Sequence, residues 1–346
     1  MGPLAKASRR LLLVGNPSPE HIGAHLLAAA EDLGIEARIL DVREAWCGPR
    51  WLRRLSWNLA SKRPTALTRF SRKVLETCRE YGPDMVLCTG IAPVAAWALQ
   101  AIGKKGIPRA NYLTDDPWNP KNGAGFFWKA LKEFDIVFSP RRSNLQDLQA
   151  AGCRRVIYLP FAYNPRIHFY EPPATEEERR RFACDLAILG GADEDRIPLA
   201  LAAVRAGLKI KLYGGYWDRV KELRPFWGGF VFDRDLRLAA SVATAHLCMG
   251  RRANRDGHAM RSFELPAMGA CLIVEGTEEH RQLFGPEEHA VLYYGSIKEI
   301  LDKARYLRDH PAIGRRLAAR ARTAITNGKH SYAERLSAIV HSVSQL

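Results

Sequence analysis

The sequence lacks the features that define several classes of protein. It has no apolar run near the roughly 20 residues that a membrane-spanning helix needs. Its first apolar run, residues 11–14, is too short for the core of a signal peptide. None of its seven cysteines forms a Cys-x-x-Cys pair, so neither a zinc site nor a disulfide framework is expected. These absences predict a cytoplasmic protein with reduced cysteines.

Acidic residues are missing from one stretch of a chain that is basic as a whole. The 346 residues include 52 Lys and Arg against 37 Asp and Glu, a formal net charge of +15, which favours an anionic partner. Residues 51–73, from Trp51 to Lys73, contain several Lys and Arg but no Asp or Glu. Trp51, Leu55 and Leu59 recur at every fourth position, as they would on one face of a helix.

Two interpretations of this basic segment stay open. It suits a helical insertion that packs on its domain and leaves a solvated basic face. It also suits peripheral contact with an anionic membrane surface, which would place the protein at the inner face of the membrane. Nucleic-acid binding is not expected, because no recognisable nucleic-acid-binding module accompanies the charge.

Strand-like and helix-like segments alternate along the chain, which predicts an α/β fold with parallel sheets. The length suits two domains of roughly 150–180 residues each. A proline-rich and charged stretch follows residue 164. The predicted organisation is an N-terminal Rossmann-like domain over residues 1–164, a linker over 165–184, a second Rossmann-like domain over 185–328 and a closing segment over 329–346. The second domain includes a predicted strand at residues 230–232.

An arginine-rich loop between two apolar strands is the most informative segment. It leads into a short helix that is predicted to open between residues 259 and 263. Unpaired N–H groups and the helix dipole favour an anion at such a helix start, and Arg251, Arg252 and Arg261 add guanidinium groups for phosphate. Glu264 lies one turn further, where its carboxylate can accept hydrogen bonds from ribose hydroxyls. The layout predicts a site for a nucleoside diphosphate.

The same segment resembles the donor-site signature of group 1 glycosyltransferases with the GT-B fold, and most closely the branch named after the spore-maturation protein CgeB. The matching residues are Gly257, Arg261, Phe263, Glu264, Pro266, Ala267, Gly269, Leu283 and Phe284. The broader group has two Glu separated by seven residues. Here the second is Glu264, and the first position holds the shorter carboxylate Asp256.

The resemblance, strongest over about residues 185–340, implies a fold and an activity. The implied fold is two facing Rossmann-like domains, with a C-terminal helix that returns to the first domain. The implied activity is hexosyl transfer from a nucleotide-diphosphate sugar to an acceptor in the cleft, as in glycan biosynthesis. Enzymes of this fold neutralise the leaving diphosphate with basic side chains, so neither a metal nor a further cofactor is expected. Nucleobase contacts are expected near Phe232.

Further donor-binding residues are expected at two glycine turns. Gly190 and Gly191 follow a buried strand. In group 1 enzymes the matching loop approaches the donor diphosphate, and Arg196 is the implied basic partner of the phosphates. Tyr213 and Gly214 close another strand, where glycine lets the backbone come near a ligand.

The first domain offers carboxylates at the end of an apolar strand. Asp115 and Asp116 follow residues 111–114 and precede a proline. One of them is a candidate base for the acceptor's proton, or a group that stabilises positive charge on the sugar. A turn-forming role for the Asp-Asp-Pro run and a magnesium site are the alternatives. The sequence does not choose between the two carboxylates.

Other first-domain candidates lie at predicted strand ends. Gly15 and Asn16 follow the first strand, and Thr89 and Gly90 follow a later one. Since ligands bind outside the carboxyl ends of parallel strands, all four are expected on the acceptor side. His21, near the start of the first helix, is a further candidate base.

Two rivals to glycosyl transfer stay open. A nucleotide-sugar epimerase shares this two-domain plan and acts on the donor alone. A degenerate transferase, which binds a nucleotide or sugar without catalysis, is the non-enzymatic rival. The acceptor (glycan, protein, lipid or small molecule) and the stereochemical course stay open as well.

Overall fold

The structure, a computed structural model, describes residues 9–59 and 61–346, apart from the side chains of Leu52 and Arg53. The chain divides into two compact units. One contains the described residues up to Pro160 together with 332–346, and the other contains residues 161–331. Residues 165–184, expected as a linker, lie within the second unit. In the described part of the chain, no helix is long and apolar enough to cross a membrane.

Parallel strands form the central sheet of the first unit. Its described strands are β1 (Arg10–Gly15), β2 (Glu36–Asp41), β3 (Met85–Thr89), β4 (Arg109–Tyr112), β5 (Ile136–Ser139) and β6 (Val156–Tyr158). They lie in the order β2-β1-β3-β4-β5-β6, and every neighbouring pair is parallel. The inner strands β1, β3 and β5 are mostly apolar, as expected when helices cover both faces of such a sheet. The inner strand β4 differs, because it contains Arg109 and Asn111.

The helices of the first unit connect these strands. They are α1 (Ile22–Asp32), α2 (Arg50–Leu59), α3 (Leu67–Tyr81), α4 (Ala96–Gly103), α5 (Gly125–Leu131) and α6 (Leu145–Ala150). Helix α3 buries Phe70, Val74 and Cys78 in the core below the sheet. It ends at Gly82, whose φ of 58° places it in the left-handed region that favours glycine.

A second parallel sheet forms the centre of the other unit. Its described strands are β7 (Leu186–Leu189), β8 (Ile210–Tyr213), β9 (Ala245–Cys248), β10 (Leu272–Glu275) and β11 (Leu292–Tyr294). Their order is β11-β10-β9-β7-β8. The carboxyl ends of these strands share one edge of the sheet, and the loops that follow them carry the predicted donor residues.

The helices of the second unit begin with a short capped one. The set is α7 (Glu176–Phe182), α8 (Arg196–Arg205), α9 (Asp233–Val242), α10 (Arg261–Ala267), α11 (Glu278–Phe284), α12 (Ile297–Asp309) and α13 (Pro311–Asn327). Thr175 caps α7 by accepting the N–H of Glu178 at 3.1 Å, and the Glu178 side chain accepts the N–H of Ala174. These two contacts give acceptors to backbone N–H groups at the start of the helix, which explains why the charged run begins one there.

The last helix, α14 (Tyr332–Val343), belongs to the first unit. The Tyr332 ring stacks on His25 of α1 at 4.9 Å between centroids. Arg335 donates from Nε to the carbonyl oxygen of Pro160 at 2.9 Å. The expectation that the C-terminal helix packs on the first domain is therefore confirmed.

The predicted strand at residues 230–232 is wrong. Strand β8 does gain a partner there, but only through a single bridge between Leu212 and Trp227. Gly228 then donates its N–H to the carbonyl oxygen of Leu212 at 2.8 Å. Gly229 follows with a φ of 78°, outside the strand region. The ladder therefore stops before Phe230.

All seven cysteines lie in the described part of the chain and are free thiols. Cys47 alone is exposed, and the other six are buried. Burial raises the pKa of Cys248 to about 11. Such thiols remain protonated and behave as small core residues.

Candidate functional site

Two glycine turns meet at the carboxyl edge of the second sheet. A Cβ atom added at Gly214 would lie 2.8 Å from the carbonyl carbon of Gly190, and Gly214 has a φ of 115°. Ala192 donates its N–H to the carbonyl oxygen of Gly215 at 2.9 Å. The turns that follow β7 and β8 are therefore packed backbone to backbone, and only glycine fits at position 214. The structure brings Gly190, Gly191 and Gly214 together.

Arg196 opens α8 directly beside the first of these turns. The residue is buried, and its guanidinium forms an ion pair with Asp193. The same Asp193 carboxylate accepts the backbone N–H of Arg196 at 2.9 Å. The Arg196 Nη1 atom also lies 3.5 Å from the carbonyl oxygen of Gly191. The pair holds a guanidinium at the glycine turn, where a diphosphate can compete with Asp193 for it.

The loop after β9 is stabilised from inside by Asp256. Its carboxylate accepts the backbone N–H of Arg251 at 3.0 Å. Gly250 packs so closely that an added Cβ would lie 2.9 Å from the Asp256 Cβ atom. Arg252 points outward and is exposed, with its Nε atom 3.9 Å from the Asp195 carboxylate. The Asp256 side chain thus stabilises the loop backbone, while the exposed guanidinium of Arg252 can contact a ligand.

Helix α10 carries the most tightly enclosed carboxylate of the predicted donor residues. Glu264 is 2% exposed, and one of its oxygens lies 2.5 Å from the Nη1 atom of Arg261. The two residues are three positions apart, so a helix places them on the same face. Arg261 and Glu264, each predicted as a donor-binding residue, are thus brought together as an ion pair.

His168 faces the same carboxylate and was missed by the sequence analysis. Its Nε2 atom lies 4.0 Å from the second oxygen of Glu264, and its Nδ1 atom accepts the N–H of Asn164 at 3.0 Å. Burial lowers the pKa of His168, although the charge of Glu264 opposes the shift. The neutral ring therefore carries its proton on Nε2 and directs it at Glu264. No local signal marks His168, because it reaches α10 from a distant irregular segment.

A buried network fixes the entrance to α10. Ser262 Oγ lies 2.9 Å from His280 Nε2 and accepts the N–H of Ala259 at 3.1 Å. His280 Nδ1 lies 2.8 Å from the carbonyl oxygen of Glu275, so Nδ1 donates and Nε2 accepts from the serine hydroxyl. Burial lowers the pKa of His280 to about 4. The neutral imidazole thus joins β10, α11 and the start of α10.

Two further polar groups lie at neighbouring strand ends. Glu275 closes β10, and burial raises the pKa of its carboxyl, while Arg252 acts against this shift. Tyr294 closes β11, and its buried hydroxyl has no hydrogen-bond partner in the described part of the chain. Burial raises the pKa of this hydroxyl, the charge of Glu275 raises it further, and the charge of Arg196 opposes the shift. The sequence analysis missed Glu275 and Tyr294. Their positions at the ends of strands could have identified them.

Exposed aromatic rings lie beside the glycine turns. Phe230 and Phe232 stack with an angle of 5° between their planes and 6.3 Å between their centroids, and both side chains are exposed. Tyr216 is exposed as well, and Arg219 lies 4.5 Å from its ring centroid. A Cβ at Gly215 would lie 3.5 Å from the Phe230 ring. An exposed aromatic surface therefore lies next to the two glycine turns.

The carboxyl edge of the first sheet holds the predicted acceptor-side residues. A Cβ at Gly15 would lie 2.7 Å from Thr89 Oγ1, and a Cβ at Gly90 would lie 2.8 Å from an Asp115 carboxylate oxygen. Gly90 has a φ of 62°, so glycine suits this turn for two reasons. Asn16 holds its own turn by accepting the N–H of Ser18 at 3.0 Å.

The structure distinguishes the two neighbouring carboxylates. Asp116 is buried, and its carboxylate accepts the N–H of Trp118 at 3.0 Å. Its backbone carbonyl accepts the N–H of Asn119 at 3.2 Å. Asp115 is half-buried and faces the Gly90 turn. Asp116 therefore stabilises the Asp-Asp-Pro turn, and Asp115 is the carboxylate that solvent reaches.

Two further polar residues of the first unit differ in exposure. His21 is exposed before α1, makes no side-chain cap and lies 3.7 Å from the Glu20 carboxylate. His21 thus lies beside a surface glutamate. Asn111, on β4, donates from Nδ2 to the carbonyl oxygen of Gly90 at 3.2 Å. Its buried Oδ1 atom has no partner within the described residues.

The whole chain is similar in fold to several solved structures. Sucrose-phosphate synthase from Thermosynechococcus elongatus aligns with a TM-score of 0.68 and 13% identity, over 97% of this chain and 98% of that one. HepE from Anabaena, in complex with UDP, aligns at 0.62 and 14%, over 98% and 100%. UDP-GlcNAc 2-epimerase from Neisseria meningitidis, bound to UDP-GlcNAc, aligns at 0.54 and 13%, over 97% and 100%. The chain has the two-domain α/β architecture of GT-B glycosyltransferases.

The second half of the chain also matches a protein family. Residues 196–341 match the family model of glycosyl transferase-like proteins. That range contains Arg252, Asp256, Arg261 and Glu264, and it begins at Arg196. No curated protein sequence gives a significant match. The closer relation to the CgeB-like branch stays a prediction.

Proposed function

We propose that this protein is a glycosyltransferase that moves a sugar from a nucleotide-diphosphate donor to an acceptor hydroxyl. The observation that carries the proposal is the position of Glu264, enclosed between Arg261 and His168 within the segment that matches the glycosyl transferase-like family. A fixed carboxylate suits a ribose diol, because an ionised carboxylate is purely an acceptor. The adjacent guanidinium suits a phosphate.

Basic side chains would stabilise the departing diphosphate without a metal. Arg196 lies at the Gly191 turn, and Arg252 projects from the loop after β9. Two guanidinium groups at separate loops can bind both phosphates, and Arg261 can join them by exchanging its Glu264 contact for a phosphate oxygen. Such fixed positive charge acts mainly as charge develops on the leaving group.

The stacked pair Phe230 and Phe232 would hold the nucleobase. Flat exposed rings beside a phosphate site offer a stacking surface. UDP is the first nucleotide to test, because the similar HepE structures contain UDP or UDP-glucose.

On the acceptor side, Asp115 is the proposed base. The acceptor oxygen bonds to the anomeric carbon, the bond from that carbon to the phosphate oxygen breaks, and the acceptor proton passes to Asp115. Solvent reaches Asp115, whereas Asp116 is committed to its turn. Gly90 leaves room in front of Asp115, because any larger residue would press on the carboxylate.

An epimerase is the second candidate, since UDP-GlcNAc 2-epimerases share the fold. Such an enzyme would change the donor sugar without an acceptor. Product analysis by NMR after incubation with UDP-sugars alone distinguishes the two activities: an altered sugar favours the epimerase, and an unaltered one favours the transferase.

Calorimetric binding of UDP, GDP, dTDP, ADP and CMP, each with EDTA and with Mg²⁺, tests the donor site. Saturable binding of one diphosphate in EDTA supports the proposal and identifies the base. If no nucleotide binds to folded protein, the donor site is wrong and the degenerate interpretation takes its place.

A further inference from the structure

Helix α2 exposes an apolar stripe. Trp51, Leu55 and Leu59 are 68%, 48% and 78% exposed, and their spacing places them on one face of the helix. An amphipathic helix on a soluble domain normally turns this face toward the core. Here the stripe faces solvent, so the packed insertion considered from the sequence does not account for it.

The segment of the sequence that contains the stripe is basic. Residues 45–75 contain eight Lys or Arg and no Asp or Glu. Exposed arginines that form no ion pair with any described residue are Arg50, Arg54, Arg63, Arg69 and Arg72. On α2, Arg50 and Arg54 each precede a member of the stripe by one position, which places them along its flank. Lys73 differs, because it pairs with Glu44 at 2.7 Å.

We propose that this basic face, meaning the apolar stripe of α2 with the five exposed arginines, docks on an anionic lipid bilayer. Tryptophan and leucine side chains insert at the boundary between headgroups and acyl chains, while arginines beside them reach the lipid phosphates. A cluster of basic residues without acidic neighbours is attracted to anionic headgroups. Charge complementarity and the open apolar stripe both favour this partner over a soluble polyanion, which would leave the stripe in water.

Contacts of the C-terminal half of α2 and of its flanking segments attach it to the first unit. The rings of Trp46 and Trp57 lie 5.6 Å apart. Ser56 Oγ donates to the carbonyl oxygen of Arg63 at 2.5 Å, and Thr65 Oγ1 donates to that of Cys47 at 2.9 Å. Binding through the basic face would therefore orient the whole unit on the bilayer.

The turn after α2 contacts the loop that contains Asp115. Gly125 donates its N–H to the carbonyl oxygen of Ser61 at 3.1 Å, and Lys62 donates from Nζ to the carbonyl oxygen of Pro120. A bilayer beneath α2 would thus lie near the acceptor-side edge of the first sheet. This part of the inference rests on the proposed function: the acceptor would be a membrane lipid or a lipid-linked sugar.

Co-sedimentation of the full chain with vesicles tests the docking. The vesicles contain phosphatidylcholine alone or phosphatidylcholine with phosphatidylglycerol. We expect binding to the anionic vesicles only, weakened by added salt. The double variants Arg50→Glu/Arg54→Glu and Trp51→Ser/Leu55→Ser should each weaken binding by roughly tenfold or more. All four side chains are exposed, so the unfolding temperature should not change.

The matched control is Arg315→Glu/Arg316→Glu on α13, which changes the net charge equally at two exposed arginines. It should bind as wild type does. Three results would overturn the docking proposal: no binding of wild type to anionic vesicles, equal loss in the control, or full binding by Trp51→Ser/Leu55→Ser. The last would indicate a general polyanion surface, which a competing RNA oligonucleotide would then displace. Because no sugar donor is present, failure here leaves the transferase proposal standing, and failed nucleotide binding leaves the docking standing.

Discussion

The Nε2 atom of His168 faces the Glu264 carboxylate at 4.0 Å, while its Nδ1 atom accepts the N–H of Asn164 at 3.0 Å. The backbone bond fixes the tautomer and turns the proton toward the carboxylate. Glu264 is therefore held by its ion pair with Arg261, and the neutral imidazole faces its other oxygen from beyond hydrogen-bond distance. A carboxylate held in this way keeps its orientation when a ligand arrives, so less ordering is needed on binding.

Replacing Glu264 tests the ribose contact. Glu264→Ala should weaken nucleotide binding by about tenfold to a hundredfold, the usual loss for a hydrogen bond to a charged group. Arg261 is partly exposed and can be resolvated, so the fold should survive. Calorimetry with the nucleotide that binds wild type is the measurement. Glu177→Ala, at an exposed position on α7, should change nothing, and equal affinity in both variants would remove Glu264 from the site.

Substitutions of Asp115 and Asp116 should have different effects, the first on activity and the second on stability. Asp115→Asn should lower the transfer rate by about 100-fold or more without changing nucleotide binding or the unfolding temperature. Asp116→Ala should lower the free energy of unfolding by roughly 1–3 kcal/mol, because the Trp118 N–H loses its acceptor. Turnover and denaturant unfolding measure these two losses. Full activity of Asp115→Asn would exclude it as the base.

Replacing Gly214 should destabilise the protein for two reasons, its positive φ and the close approach of the Gly190 backbone. Gly214→Ala combines a φ of 115° with a Cβ 2.8 Å from the Gly190 carbonyl carbon, and we expect a loss of roughly 1–3 kcal/mol in stability with weaker nucleotide binding. Gly207→Ala is the matched control, because its φ is 74° but an added Cβ meets nothing within 4 Å. It should cost about 1 kcal/mol and leave binding intact. Equal losses would mean that the close approach of the two turns is unimportant.

Acid should destabilise the donor unit through His280. Its ordinary pKa is 6.5, and burial lowers it to about 4. Below pH 6.5 the unfolded chain binds the proton while the folded chain does not, so stability is full above pH 6.5 and falls as the pH approaches 4. The loss from this group is at most roughly 3 kcal/mol.

Denaturant unfolding of wild type and His280→Gln across this pH range measures the effect. The variant should lose less stability on acidification, and the difference between the two curves isolates His280. Buried His246, whose pKa is also lowered to about 4, contributes equally to both curves. Glu275 acts in the opposite direction, because its pKa is raised. Parallel curves would show that His280 does not couple folding to pH here.

Periodic and local features of this chain could be predicted from its sequence. Continuous apolar runs predict buried parallel strands, and a spacing of three residues on a helix predicts that Arg261 and Glu264 meet. The strand at residues 230–232 was wrong because an apolar pattern does not show where a ladder loses its partner. There the backbone of Gly229 ends the pairing.

The remaining parts of the site depend on contacts between distant segments. His168 lies in irregular chain, and only the tertiary fold brings it to α10. Tyr294 and Glu275 lie at predicted strand ends, but the sequence does not show which strand ends converge on one ligand. Asp115 and Asp116 are identical in type, and their different burial follows from the turn that one of them caps.

Cys47 ends the short helical turn before α2, and it is the one exposed thiol of the seven in this chain. Maleimide chemistry on native protein should therefore attach a single fluorophore without any engineered cysteine. An environment-sensitive dye at this position would sit next to the basic face and report its contact with lipid in real time. The single exposed thiol thus provides a labelling position next to the surface that we propose docks on lipid.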